Sequence, residues 1–385
     1  MSPAVLLWHA ALSLLLVYTA GCASLIIGGY TTSSGPYKIS DRARALRDEI
    51  LIVDLHADSL LWATDLVQRN TRGHVDIPRL IEGGVGAQVF GIVTKSPSRL
   101  NIDSNDDKSD SIALLARVHG WPAQTRNSLV ARTLYQAEKL HAFAVRSDGR
   151  LILIKTRTDW EQYLTRRRDR RDIVAGLLSV EGAHALEGNL ANLDRFFDAG
   201  IRMISPSHFF DTDVGGSAHG LEKGGLTELG RRLIRTMEQK GVLVDVAHAS
   251  PRTIEDVLAI ANRPIVVSHT GVRGTCNNAR NLSDDQIRAI ARTGGVIGIG
   301  YWSTAVCGSD VRAIAAAIRY TARVVGADHV ALGSDFDGWT TTPFDTTGVG
   351  QLIDGLFAEG LAEDDIRKIM GENVSSLFVR LLPEK

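Results

Sequence analysis

The chain has 385 residues, of which 44% are hydrophobic and 23% are charged. This composition suffices for a sizeable core and argues against disorder, and the length fits a single α/β barrel with insertions. The formal net charge of -1, without a long basic run, argues against nucleic acid as a partner. The short arginine cluster from Arg166 to Arg171 is predicted to form a solvated helix face.

The first element is an apolar segment from Ala4 to Ala20, which predicts an export signal. It is short for a membrane span and no basic stop-transfer cluster follows it, so a transmembrane anchor is the less favoured alternative. The ending Ala20-Gly21-Cys22 resembles the bacterial lipobox, in which the cysteine is lipidated, although Thr19 stands where leucine is usual. A secreted protein without a lipid is the other alternative.

These features divide the chain into a signal peptide over residues 1–22, a linker over 23–40 and one large domain over 41–385. The chain is expected to be exported and lipid-anchored through Cys22 to a bacterial membrane, facing the periplasm or the cell exterior.

Beyond the linker, short apolar runs alternate with amphipathic segments, which is typical of βαβ units. The predicted strands are Ile50–Leu55, Ala87–Val93, Ile173–Val180, Ile201–Ser205, Val242–Val246, Pro264–Ser268, Gly295–Tyr301 and His329–Ser334. Eight such units predict a (β/α)₈ TIM barrel with an insertion between strands two and three. A doubly wound open sheet has the same local pattern and is the structural alternative.

Helices are predicted between the strands from apolar residues at three- and four-residue spacing. Ser283 with Gln286 fits a capping box, Pro251 suits a first helical turn and Gly241 suits a helix end. The predicted helices are Ser128–Val145, Leu226–Lys240, Pro251–Ala261, Ser283–Thr293, Val311–Val325 and Ala362–Leu382. Leu151–Ile154 is predicted to be an extra strand outside the barrel count.

Ionisable residues follow most of the predicted strands. His56 and Asp58 lie two apart at the first strand end, where an extended chain points both side chains the same way. Each such group costs several kcal/mol to bury unless it is paired or binds metal. The other residues of this kind are Glu181, His208, Asp245, His248, His269, Asp335 and Asp337.

The types of these ionisable residues indicate which metal they would bind. Imidazoles and carboxylates without thiolates suit zinc or a similar divalent ion, and a shared carboxylate would allow a pair of ions. Such a centre activates water and polarises a carbonyl, which points to hydrolysis.

At this point the chain, from about Ile50 to the C-terminal helix, resembles the membrane (renal) dipeptidase family. The segments that carry the resemblance are LHADSL around His56 and Asp58, SVEGAH around Glu181, SPSHFFDT around His208, LVDVAHAS around His248, VVSHTG around His269, CNNARNLSDD around Arg280 and GSDFDG around Asp335. The resemblance implies a zinc-dependent dipeptidase in which a metal-bridging hydroxide attacks the peptide carbonyl. It implies dipeptide substrates, including L-Xaa-D-Xaa dipeptides, and a homodimer.

The resemblance also implies a role for each site residue. Two Zn²⁺ ions are expected per chain, bridged by Glu181. The expected ligands are His56 and Asp58 for one ion and His248 and His269 for the other. His208 is expected to contact the substrate and stabilise the tetrahedral intermediate, Arg280 to bind the substrate carboxylate, and Asp335 to move protons.

Before the resemblance, Arg280 could equally be a surface arginine beside Asp284 and Asp285. Cys276 and Cys307 could be two buried thiols or a disulfide. Mammalian members of the family have a bridge at corresponding places, so a disulfide is predicted here.

Asp337 is expected to orient the loop around Asp335, and His184 receives no ligand role. The remaining histidines are predicted to be surface or structural residues: His74, His119, His141, His219 and His329.

Two competing functions remain at this stage. An amidohydrolase-type barrel acting on another amide or ester usually begins with H-x-H and uses a carboxylated lysine, whereas this chain has His56-Ala57-Asp58 and Glu181. A catalytically silent metal-binding lipoprotein is the second alternative, and the presence of Asp335, His208 and Arg280 argues against it.

Overall fold

The computed structural model describes residues 29–31 and 35–384. The predicted signal peptide, Cys22 and part of the predicted linker lie outside the described residues. None of the described helices is long and apolar enough to cross a membrane.

The described chain alternates strands and helices as the sequence pattern predicts. The strands are β1 (Gly29–Thr31), β2 (Ile52–Ala57), β3 (Val85–Val93), β4 (Leu151–Leu153), β5 (Val174–Glu181), β6 (Ile201–Ile204), β7 (Leu243–Val244), β8 (Val266–Thr270), β9 (Val296–Ile299), β10 (Val330–Leu332) and β11 (Thr340–Thr342). The α-helices are α1 (Asp41–Glu49), α2 (Ile77–Glu82), α3 (Ser111–Val118), α4 (Leu129–Arg146), α5 (Arg157–Asp169), α6 (Asn192–Asp198), α7 (Glu228–Lys240), α8 (Pro251–Ile260), α9 (Asp284–Arg292), α10 (Ser303–Val306), α11 (Val311–Val325), α12 (Gly350–Ala358), α13 (Glu363–Arg367) and α14 (Asn373–Leu381).

Eight parallel strands form the predicted barrel, in the order β7-β6-β5-β3-β2-β10-β9-β8. The ring closes between β7 and β8, where Asp245 pairs with Val266 in a parallel bridge. The first and last barrel strands are neighbours, since Leu332 of β10 pairs with Asp54 of β2. This closure distinguishes the barrel from the open doubly wound sheet, in which the outer strands do not meet.

A buried carboxylate supports the pairing of β2 with β10. Asp54 accepts hydrogen bonds from the backbone N–H of Ser334 at 2.8 Å and from its hydroxyl at 2.6 Å. Gln88 of β3 donates to the same carboxylate at 3.0 Å. One side chain therefore joins three adjacent strands just below the carboxyl end of the barrel.

Side chains from all eight barrel strands form one apolar cluster, which also includes residues of the C-terminal helix α14. This is the packed interior of the barrel, and α14 closes its lower end against Leu243 and its neighbours. The polar side chains of interest lie at the opposite end.

The predicted caps are present. Ser283 and Gln286 exchange both bonds of a capping box at the start of α9, and Ser250 caps α8 with Pro251 in its first turn. Gly241 ends α7 with a φ of 72°, which the left-handed region allows most readily to glycine. Ile50, predicted to begin a strand, instead ends α1, because its N–H donates to the carbonyl of Leu46.

Three elements differ from the prediction. The C-terminal helix is interrupted by a π-helical turn over Lys368–Glu372, where Gly371 lies so close to the Leu51 carbonyl that a Cβ would come within 2.0 Å of the oxygen. β1 lies in the predicted linker and pairs with β11, a strand that the sequence did not indicate.

The arginine cluster is not entirely solvated, which corrects the sequence interpretation. Arg167 is buried and donates to the carbonyls of Ile173 and Gly84. Those carbonyls need a donor, and the long arginine side chain reaches them. The predicted extra strand is present as β4, which pairs with the first half of β5.

Candidate metal centre

The predicted polar side chains converge at the carboxyl ends of the barrel strands, where loops of a barrel usually carry the active site. Those that lie in the strands or in the loops that follow them are His56 and Asp58 (β2), Glu181 (β5), His208 (β6), His248 (β7), His269 (β8) and Asp335 (β10).

Glu181 is at the centre of this group. Its Oε1 lies 2.9 Å from Nε2 of His248, 3.2 Å from Nε2 of His269 and 3.8 Å from Nε2 of His56. Its Oε2 lies 3.1 Å from Nε2 of His208. Three imidazoles thus face Oε1 and the imidazole of His208 faces Oε2, so one carboxylate contacts four histidines.

Several of these buried atoms have no hydrogen-bond partner among the residues that the structure describes. They include both ring nitrogens of His56, Oδ1 of Asp58 and Oε1 of Glu181. Burying polar atoms unpaired is unfavourable, whereas each is a good ligand for a borderline divalent cation. The residues therefore fit a metal centre. Three overlapping groups have ligand atoms that all lie within 4.8 Å of one another: His56, Glu181 and His269; Glu181, His208 and His248; and His56, Asp58 and Asp335.

Burial controls the protonation of the group. It raises the pKa of Glu181 and Asp335 well above the usual range of a carboxyl group. It lowers the pKa of His208, His248 and His269 well below that of a free imidazole. Neutral imidazole is the form that binds metal, and cation uptake would displace protons from the carboxyl groups.

His56 differs from the other histidines. Burial opposes its charge, but the nearby carboxylates of Asp58 and Glu181 raise its pKa to about 10. Nε2 of His56 lies 3.3 Å from Oδ1 of Asp58.

A hydrogen-bond relay orients His269. The hydroxyl of Ser268 donates to Oδ2 of Asp245 at 2.6 Å and lies 2.9 Å from Nδ1 of His269. Because its one proton goes to the carboxylate, this hydroxyl accepts from Nδ1–H of His269. Nε2 of His269 is then the unprotonated nitrogen, and it faces Glu181.

The loop that carries Asp335 has an unusual backbone. Asp335, Asp337 and Trp339 have φ values of 59°, 61° and 61°, in the left-handed region that non-glycine residues seldom adopt. Gly338 lies against Asp335: a Cβ there would come within 2.1 Å of its Oδ1.

Asp337 holds this loop in place, in agreement with the expectation from the sequence. Its carboxylate accepts from the backbone N–H of His74 at 2.6 Å and from the hydroxyl of Ser59 at 2.6 Å. Its own N–H donates to Nδ1 of His74 at 3.0 Å, so His74 has the structural role predicted for it.

Arg280 is buried and is therefore not a surface arginine. It donates to the carbonyl of His269 at 2.8 Å and to the hydroxyl of Thr270 at 3.3 Å. Its guanidinium lies 5.7 Å from the ring of Trp302. Burial lowers its pKa to about 10, while Asp335 and Glu181 act in the opposite direction.

The predicted disulfide between Cys276 and Cys307 is formed. It joins the loop after β8, which carries Arg280, to the short helix α10 that follows Trp302. The bridge therefore ties together two segments that border the centre.

Two histidines that were assigned no ligand role from the sequence, His184 and His219, are buried. His184 lies 3.2 Å from the Thr94 hydroxyl through Nε2, and burial lowers its pKa to about 3. His219 packs with its ring centroid 5.1 Å from that of His248, so it belongs to the surroundings of the centre. Its place in a loop without regular periodicity offered no signal.

Comparisons with known proteins agree with this geometry. The sequence pattern of the membrane dipeptidase family, peptidase family M19, matches residues 40–381. An uncharacterised dipeptidase of Schizosaccharomyces pombe is 26% identical over 319 residues, which are 78% of this chain and 72% of that protein.

Two solved structures are also similar. A metallopeptidase described as dipeptidase AC, of family M19, has a TM-score of 0.70 and 25% identity, and the match covers 86% of this chain and 99% of that one. A metallopeptidase from Rhodobacter sphaeroides, liganded with a phosphinate mimic of the dipeptide L-Ala-D-Ala, has a TM-score of 0.69 and 24% identity over 86% and 99% of the two chains. The chain belongs to the membrane dipeptidase family, peptidase family M19, and is a metallo-dipeptidase hydrolase.

Proposed function

We propose that this protein is a two-zinc dipeptidase whose substrates include L-Xaa-D-Xaa dipeptides. The observation that carries the proposal is the position of Glu181, whose two carboxylate oxygens face imidazoles from four different barrel strands. When bound, two zinc ions supply an activated hydroxide as nucleophile and polarise the scissile carbonyl.

The ligand assignment follows the resemblance to the membrane dipeptidase family. His56 and Asp58 would hold one ion, His248 and His269 would hold the other, and Glu181 would be the carboxylate shared by the two. The absence of thiolates and the number of imidazoles favour zinc over calcium or magnesium.

Arg280 binds the C-terminal carboxylate of the substrate. Its planar fork matches a carboxylate, and its burial strengthens the interaction. Phe209 packs 4.2 Å from the ring of His208 and Trp302 packs 5.9 Å from the ring of His269, measured between centroids. These half-buried aromatic rings form walls beside the centre, which suits a short substrate held at its carboxylate.

His208 and Asp335 act directly on the atoms that react. His208 contacts the substrate carbonyl oxygen and stabilises the charge that develops on it. Asp335 takes the proton of the nucleophile and passes it to the leaving amine, a role suited to a carboxyl whose pKa burial has raised. Peptide hydrolysis then consumes one water and releases two amino acids.

The stereochemical part of the proposal draws on the relative from Rhodobacter sphaeroides, which was solved with a mimic of L-Ala-D-Ala. The Arg280 contact depends on the carboxylate alone, so it is compatible with either configuration at the C-terminal residue. Cleavage of peptides that contain D-residues would suit the turnover of bacterial cell-wall peptides.

We also propose that the chain is exported, that residues 1–21 are removed so that Cys22 becomes the lipidated first residue of the mature chain, and that the barrel domain acts at a bacterial membrane as a homodimer. The support is the apolar segment Ala4–Ala20 and the Ala-Gly-Cys sequence that ends it. Intact-mass analysis of the membrane fraction, with Cys22→Ala as control, tests the lipid, and light scattering tests the dimer.

The first experiment on the activity uses the mature domain without its first 22 residues. Elemental analysis measures bound metal, and L-Xaa-L-Xaa and L-Xaa-D-Xaa dipeptides are assayed beside a tripeptide. About two zinc ions per chain, with chelator-sensitive cleavage of dipeptides only, would support the proposal. Bound metal without cleavage of any dipeptide would refute it.

A further inference from the structure

His219 lies in the loop between β6 and α7 and is completely buried. Its backbone N–H donates to the hydroxyl of Ser217 at 3.0 Å. Its carbonyl accepts from the backbone N–H of Asn105 at 2.7 Å and from the Asn105 side-chain amide at 3.2 Å. The residue is thus held between two loops at the carboxyl end of the barrel.

The tautomer of the His219 ring follows from its partner. Nδ1 lies 2.5 Å from the carbonyl oxygen of Ile102. A carbonyl can only accept, so Nδ1 carries the proton and Nε2 carries a lone pair. Nε2 is buried and has no hydrogen-bond partner among the described residues, which leaves a buried acceptor without a donor.

The neighbouring ring of His248 has the complementary group. Its Nε2 faces Oε1 of Glu181 at 2.9 Å, so a metal bound there requires the proton of the imidazole to be on Nδ1. Nδ1 of His248 is buried and has no partner among the described residues. The centroids of the His219 and His248 rings are 5.1 Å apart.

The backbone keeps the two rings side by side. Ala218 donates to the carbonyl of His248 at 2.8 Å, and Ser217 and Ala249 form an antiparallel bridge. Phe209 packs 5.0 Å from the ring of His219 and 4.9 Å from that of His248. The pair is thereby shielded, and no other described residue meets the need of either nitrogen.

We propose that Nε2 of His219 accepts the hydrogen bond of Nδ1–H of His248, directly after a small ring rotation or through one water, and positions His248 as a metal ligand. The inference rests on the proposed function, which makes His248 a ligand. It gives His248 an outer partner comparable to the Ser268 hydroxyl that serves His269. The loop after β3 then supports the second metal through Ile102 and Asn105.

The test compares His219→Leu, which removes the acceptor, with His219→Gln, whose amide can accept from His248 and donate to Ile102. His329→Leu is the matched control, since Nδ1 of His329 also contacts a backbone carbonyl, that of Gly295 at 2.9 Å, but just before β10 at the other end of the barrel. The readouts are zinc release to a chromogenic chelator and thermal unfolding of the metal-free proteins.

We expect His219→Leu to lower the binding affinity for one of the two zinc ions by about 10- to 100-fold. His219→Gln should retain most of the affinity, and His329→Leu should match the wild type. An unchanged zinc affinity in His219→Leu would overturn the inference. It would also be overturned if both His219 variants lost the same zinc affinity and if the metal-free proteins were destabilised to a matching extent, because lost packing would then be the cause. If His219→Leu fails to fold, the result for His219→Gln decides. Loss of its zinc affinity without a change in the stability of its metal-free form overturns the inference, and a retained zinc affinity supports it.

Failure of the proposed function has a different signature. A wild-type protein that binds two zinc ions and cleaves no dipeptide would refute the dipeptidase and leave the positioning role intact. A wild-type protein that binds no zinc would overturn both.

Discussion

Gly338 provides a direct test of how closely Asp335 must be placed. A Cβ at residue 338 would lie 2.1 Å from Oδ1 of Asp335, whereas an ordinary contact needs about 3.5 Å. In Gly338→Ala the carboxylate must therefore move by roughly 1 Å or more, and a displacement of that size at a reacting group can cost about 10²-fold in rate. We expect kcat/KM for a dipeptide to fall by that factor.

The assay combines steady-state kinetics with zinc analysis and thermal unfolding. Gly224→Ala is the matched control, because a Cβ at residue 224 would meet nothing within 4 Å and the same change of backbone entropy is made there. Metal content should stay at the wild-type level in both variants, since Asp335 is not among the proposed ligands.

Two results would refute the reasoning. Full activity in Gly338→Ala would mean that the loop adapts without displacing the carboxylate, or that Asp335 has no part in the reaction. An equal loss of activity in Gly224→Ala would show that the effect has no connection with the contact to Asp335.

Three further predictions concern other parts of the molecule. Arg280→Lys should raise KM about 10- to 100-fold with little change in kcat, because the bidentate contact to the substrate carboxylate is lost; steady-state kinetics showing an unchanged KM would contradict that assignment. Replacing Cys276 and Cys307 together by serine should lower the free energy of unfolding by about 3.5 kcal/mol, given a separation of 31 residues, as measured by urea unfolding; a change below about 1 kcal/mol would count against a native bridge. Burial lowers the pKa of Lys139 to about 7 from 10.5. Above pH 7 this amine is therefore protonated in the unfolded chain but mostly neutral in the folded protein, so the free energy of unfolding should rise by about 2 kcal/mol between pH 7 and pH 9. Lys139→Met should remove this rise, and an unchanged pH dependence in the variant would disprove it.

Local sequence rules were sufficient for much of the fold. Apolar runs and amphipathic segments identified the barrel strands and half of the described α-helices, because the burial pattern of each element depends on the period of its own side chains. The caps at Ser283, Pro251 and Gly241 were readable for the same reason, since each concerns a backbone group within a few residues. The metal-ligand types at the strand ends could also be read locally, because the carboxyl ends of parallel strands share one face.

The pairing of the cysteines and the roles of Arg280 and Asp335 were not determined by spacing. The resemblance to a family suggested them, and the residues alone allowed a surface arginine and two free thiols.

Only the tertiary structure decided the remaining features, because each depends on groups far apart in the chain. The bridge between Asp245 and Val266 closes the ring, and the carboxylate of Glu181 meets four imidazoles only when four strands are in register. Gly371, in the π-helical turn before α14, lies against the carbonyl of Leu51, and the packing of His219 on His248 brings together two loops. The sequence by itself thus determined where the barrel strands, half of the described α-helices and the ionisable residues at the strand ends lie, whereas the three-dimensional packing determined which of them meet, since local periodicity contains no information about distant partners.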